Sequence, residues 1–159
     1  MPIDQYVYFA LSSKHMSAEE MTAVLGLEPD ETLVRGSRRA AEPTRPACHS
    51  WKVVCREPGL AVDEQIDHVL DRLRPHTDRI AALARQLDEE QGEDGSAVLE
   101  VVRYFRASDA DTADATDDTD DTDATHSPNL FGWALERDVM EFLIATGAVL
   151  DVDEYDMTR

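Results

Sequence analysis

A chain of 159 residues is the length of one ordinary domain, enough to bury a core without disulfide or metal support. Its 34 acidic residues against 15 basic ones give a formal net charge of −19, which argues against nucleic acid or an anionic membrane surface as partners and makes a basic protein partner the easier match. No apolar run approaches the ~20 residues that span a bilayer, and the start Met1-Pro2-Ile3-Asp4 carries no readable secretory signal, so a cytoplasmic protein is expected.

In chain order, Tyr6 to Leu11 (YVYFAL) is aromatic and β-branched and predicts a buried strand, bounded by the polar turn Ser12 to His15. Ser17-Ala18-Glu19-Glu20 is a capping-box pattern; Met21, Val24 and Leu25 supply an apolar helical face, and Gly26 a stop. Residues 27–47 hold Pro29, Gly36, Pro43 and Pro46, which limit regular structure to a short strand near Thr32 to Arg35. The next strand, Ser50 to Arg56, alternates so that Trp51, Val53 and Cys55 share one face with His49, while Ser50, Lys52 and Val54 share the other; Trp51 is the leading core candidate.

A helix from Val62 carries Ile66, Val69, Leu70 and Leu73 inward until Pro75 breaks it, and a second carries Ile80, Leu83, Ala84 and Leu87 to the turn at Asp88 to Gly95. Val98 to Phe105 (VLEVVRYF) predicts a central strand. From Ala107 to Thr125 eight Asp alternate with Ala and Thr, so residues 107–127 are expected to be a disordered loop insertion, and deletion of Ala107 to Thr125 is expected to leave the melting temperature nearly unchanged. Asp117, Asp118, Asp120, Asp121 and Asp123 offer calcium ligands, but the EF-hand Gly and Glu are missing, and a solvated loop is preferred to a metal site. A helix from Leu135 to Thr146 stops at Gly147, and Val149 to Tyr155 closes the domain as a strand.

These elements predict a single α+β domain over residues 1–159: a mainly antiparallel sheet of four or five strands with helices on one face. Strand YVYFAL with its helix ending at Gly26, and strand VLEVVRYF with the helix ending at Gly147, suggest duplicated strand-helix units.

Chemistry is sparsely signposted. Cys48 and Cys55 lack CxxC spacing and fall on opposite faces of the strand, so neither a bridge nor a shared metal is expected, and no cofactor motif is present. His15, His49, His68, His76 and His126 sit in no nucleophile or metal signature, and Asp151, Asp153, Glu154 and Asp156 read as a polar edge, so a catalytic role is disfavoured. The one basic cluster, Arg35, Arg38, Arg39 and Arg45 near His49, Trp51 and Lys52, with Gly36 allowing close approach, is the candidate small-anion or metabolite site; internal pairing of those arginines is the competing reading.

The succession of YVYFAL, MSAEEMTAVLGLEPDE, Val34-Arg35-Gly36, SWKV, RIAALA and LIATGAVLDVDEY resembles a bacterial domain-of-unknown-function family, number 4279, over most of the chain outside residues 107–127. The LGLEPDE turn, the Ser50-Trp51 pair and TGAVLDVDEY are its most specific parts. The resemblance implies no catalytic residues to carry over. Some similar acidic α+β proteins act as immunity proteins that mask toxins, so a non-catalytic protein-interaction module for a basic partner is the first functional expectation. A small-anion or metabolite domain using the Arg35–Lys52 region, with an unrecognised enzyme as a subset, is the second.

Overall fold

The computed structural model describes residues 3–38, 44–107 and 132–158. The expected disordered loop at 107–127 and Arg39 of the basic cluster lie outside these residues, except for Ala107 itself.

Five strands form one sheet in the order β2-β3-β1-β4-β5, with β1 at Ile3–Ser13, β2 at Glu31–Leu33, β3 at His49–Cys55, β4 at Ala97–Arg106 and β5 at Val149–Met157. The pairs β2–β3, β3–β1 and β1–β4 are antiparallel, and β4–β5 alone is parallel. A parallel return needs a crossover rather than a hairpin; here the chain between Arg106 and Val149 is long enough and carries helix α4 (Arg137–Thr146). The two strand-helix units anticipated from sequence are both present, but they close differently. After β1 and α1 (Ala18–Leu25) the chain comes back antiparallel as β3, whereas after β4 and α4 it comes back parallel as β5.

Local chemistry sets the helix boundaries. Ser17 caps α1 by accepting from the Glu20 amide, Glu20 accepts from the Ser17 amide at 2.8 Å, and Gly26 ends the helix at φ 67°, where only glycine is unstrained. Pro75 lacks the amide that would continue α2 (Val62–Leu73), so Arg74–His76 form a single 3₁₀ turn before α3 (Thr77–Gln91) resumes.

Strand pleating then sorts the side chains. Val7, Phe9 and Leu11 of β1, Trp51 and Val53 of β3, and Leu99 and Val101 of β4 point to the helical face and are fully buried with Met21, Leu25, Ile66, Leu70 and Leu83. Phe9 meets Phe142 of α4 edge-on, ring centroids 5.8 Å apart. At one end the core becomes polar: Arg103, 3% exposed, donates to Gln5 Oε1 at 3.2 Å and to Glu154 Oε1 at 3.0 Å, and Gln65 donates to the Gln5 carbonyl at 3.2 Å. Among the described residues, no helix is long and apolar enough to cross a membrane.

Candidate functional site

The same alternation puts a different set of residues on the face away from the core cluster. The register aligns Tyr8 with Glu100 and Val54, Ala10 with Lys52 and Val98, and Ser12 with Ser50. Across β4 and β5 it aligns Glu100 with Asp151, Val102 with Asp153, and Tyr104 with Tyr155. Residues directly opposite in register share a face. Four tyrosines, three carboxylates and Lys52 therefore meet on this half-buried surface.

Their contacts are specific. The Tyr8 hydroxyl donates to the Glu100 carboxylate. Lys52 Nζ lies 4.2 Å from the Tyr8 ring centroid and Arg56 Cζ 4.1 Å from that of Tyr6, both in cation–π positions. Tyr6 and Tyr8 stack with centroids 6.2 Å apart, and Tyr104 stacks on Tyr155 at 5.0 Å. Burial pushes the Glu100 carboxyl above its ordinary range; the Tyr8 hydroxyl opposes that shift, and the Asp153 and Asp151 carboxylates reinforce it. The Tyr8 hydroxyl is pushed up by burial and by Glu100, and the Tyr155 hydroxyl chiefly by Asp153. Burial and the neighbouring Asp153 and Asp151 carboxylates both disfavour the ionised Glu100, and a cation brought to this group would relieve the repulsion.

Toward the β2 end the face hollows into a groove of about 270 Å³ lined by Tyr8, Ser12, Ser50, Lys52 and Glu100, with Leu33, Pro46, Ala47 and Val98 among its apolar walls. The Ser50 side chain is buried there, and its hydroxyl has no hydrogen-bond partner among the described residues. At the opposite side of the sheet, β5 is the terminal strand. Val149, Val152, Tyr155 and Met157 are exposed along it beside Asp151, Glu154 and Asp156. Among the described residues no group of three or more His, Cys, Asp or Glu side chains is arranged to hold a metal ion.

The basic cluster read from sequence is distributed over several places. Trp51 is fully buried on the helical face, its indole donating to Thr22 Oγ1 of α1 at 3.2 Å, so it is a core residue and cannot touch a ligand in the groove. Lys52, one residue on, faces the opposite way and lines the groove. Arg35 donates from its side chain to the Lys14 carbonyl at 3.0 Å, and its amide donates to His49 Nδ1 at 3.2 Å. Gly36, at φ 72°, donates to the Pro46 carbonyl at 2.9 Å and so ties the loop that supplies Pro46, Ala47 and Cys48 to the groove. Arg38 and Arg45 are exposed. Of the residues singled out for that site and described by the structure, Lys52 alone lines the groove; Tyr8 and Glu100 were missed, and Asp153 was read only as part of a polar edge. The signal for them was present: Glu100 is the lone carboxylate of its strand and lies within the apolar run from Val98 to Val102, and Tyr6 and Tyr8 are two residues apart on one pleat.

A family model described as a domain of unknown function (DUF4279) matches residues 4–157. The chain belongs to this family. The match runs from the first strand through the last, so all five strands of the sheet belong to the family's domain. No curated protein and no solved structure matches the chain.

Proposed function

We propose that this DUF4279 domain is a non-catalytic interaction module that docks a basic segment of a partner protein against β5 and the acidic, tyrosine-bearing face beside it. The observation that carries the reading is the β5 edge: nine residues at the border of the sheet, carrying Asp151, Asp153, Glu154 and Asp156 among exposed Val149, Val152, Tyr155 and Met157. An extended peptide adding to such an edge gains main-chain hydrogen bonds from the strand and side-chain discrimination from alternate positions. Its Arg or Lys side chains would reach Glu100, Asp151 and Asp153 and lie on the Tyr104–Tyr155 stack, whose faces attract cations. The net charge of −19 raises the encounter rate with a basic partner more than it raises affinity. A cytoplasmic setting agrees with the two free thiols, Cys48 and Cys55, which a reducing compartment preserves.

The test is fluorescence anisotropy with an extended peptide alternating Arg and Val, and a control alternating Glu and Val, at low and high salt. Binding of the basic peptide alone, weakened by salt and lost in the Asp151→Lys/Asp153→Lys variant, is the expected result. Equal binding of both peptides, or binding untouched by the charge reversal, refutes the reading.

A further inference from the structure

A second feature of the open face stands apart from the β5 edge: the groove between β1, β3, β4 and the Pro46–Cys48 segment. Its volume, about 270 Å³, lies just below the roughly 300–1,000 Å³ of pockets that hold drug-sized ligands, so a ligand held there would be the size of a small metabolite. Two charges of opposite sign share the groove. Lys52 Nζ sits over the Tyr8 ring, and the Tyr8 hydroxyl at the far end of that ring holds Glu100, so the ammonium and the carboxylate are about one phenol ring apart. A ligand bearing a single charge would meet one favourable and one opposing group across that distance. A ligand bearing both charges meets two favourable ones.

The buried Ser50 hydroxyl has no partner in the described protein, and an orphaned buried hydroxyl costs free energy unless something bonds to it. It lines the same groove as Lys52, where it can donate to an anionic oxygen that the ammonium attracts. Between the polar ends, Leu33, Pro46, Ala47 and Val98 offer an apolar wall to a short hydrocarbon side chain.

We infer that this groove binds a small zwitterion of the amino-acid class, with its carboxylate on Lys52 and Ser50, its ammonium on Glu100 and its side chain against Leu33 and Val98. The inference shares Glu100 with partner docking at β5 but rests on Lys52 and Ser50, which that docking does not use, and it extends the site from the basic loop to the sheet face.

L-leucine, 4-methylpentanoate, which lacks the ammonium, and isopentylamine, which lacks the carboxylate, are the probes for isothermal titration calorimetry on the full chain. Saturable leucine binding at one site is expected, with each single-charge analogue at least tenfold weaker. Lys52→Met and Glu100→Gln should each weaken leucine at least tenfold. Ser50→Ala should weaken it several-fold without lowering the melting temperature, because the hydroxyl it removes bonds to nothing in the described protein; a purely structural serine would show the reverse pattern. Absence of saturable leucine binding, analogues as tight as leucine, or full affinity in a folded Lys52→Met variant would each overturn the assignment. Leucine binding together with failure of the basic peptide would sink the partner reading and leave this one standing.

Discussion

The bond between Tyr8 and Glu100 sits at the junction of the groove and the acidic face, and a double-mutant cycle measures it. Tyr8→Phe removes the donor; Glu100→Gln keeps an acceptor but removes the charge. Hydrogen bonds to charged groups contribute about 1.5–3 kcal/mol and neutral ones about 0.5–1.5 kcal/mol. Glu100 is only half-buried, so water compensates part of that difference, leaving an expected coupling of about 0.5–1 kcal/mol at pH 8. At roughly 2–4 °C per kcal/mol for a chain of this size, Tyr8→Phe should lower the melting temperature by about 1–4 °C more in the unmodified chain than in the Glu100→Gln variant.

The pH dependence carries the sign. The groups facing Glu100 are Tyr8 from β1, Lys52 from β3, and Asp151 and Asp153 from β5. Its folded-state carboxyl is raised above the ordinary value, chiefly by burial. The folded state therefore holds the proton more tightly than the unfolded state does, and this stabilisation is complete below the ordinary Glu range and is lost as pH rises through the raised value. Glu100→Gln should flatten that decline, and the Tyr8 coupling should vanish at low pH, where Glu100 is neutral in both states. Scanning calorimetry between pH 4 and 8 reads both effects. Equal cost of Tyr8→Phe with and without the Glu100→Gln change at pH 8 would refute the argument.

Other consequences are simpler. Trp51→Ala should cost about 3–5 kcal/mol by urea denaturation, since it empties a fully buried site and leaves Thr22 Oγ1 without its donor. Ser17→Ala should cost about 1 kcal/mol by removing one half of the capping box on α1. Glu154→Ala should cost more than an exposed charge normally would, because it takes a carboxylate from Arg103, a guanidinium buried at 3% exposure; about 1–3 kcal/mol is expected, below the range for a fully buried pair because Glu154 itself is half in water.

The fold was legible where local and global signals agree. Ser17, Gly26, Pro75 and Gly147 marked helix ends that the structure places within a residue or two, because each acts through its own backbone. Period-two alternation in SWKVVC assigns Trp51 and Lys52 to opposite faces correctly, yet the basic-cluster reading puts both in one binding site, which that alternation forbids. The parallel pairing of β5 with β4 was not legible, since no local residue encodes which edge a returning strand joins. The candidate site stayed hidden for the same reason: Tyr8 and Glu100 are 92 positions apart and meet only through the β1–β4 register.

The β5 edge also carries an argument about what it rejects. A long exposed edge strand invites pairing with another copy of itself, and like charges placed directly opposite one another are destabilising, by roughly 0.2–1 kcal/mol per pair. An antiparallel two-fold pairing centred on Asp153 would set that carboxylate against its own copy, and a parallel in-register pairing would do the same at Asp151, Asp153, Glu154 and Asp156. A basic strand meets none of this repulsion, so the acids reject self-pairing while leaving the edge open to an opposite charge. Replacing Asp151, Asp153 and Asp156 by Asn, while sparing Glu154 because it holds Arg103, should remove the barrier. Light scattering after size exclusion should then show the variant dimerising with rising concentration while the unmodified chain stays monomeric. A variant that remains monomeric at millimolar concentration would mean that something other than charge protects this edge, and the case for a basic strand as its partner would lose its electrostatic support.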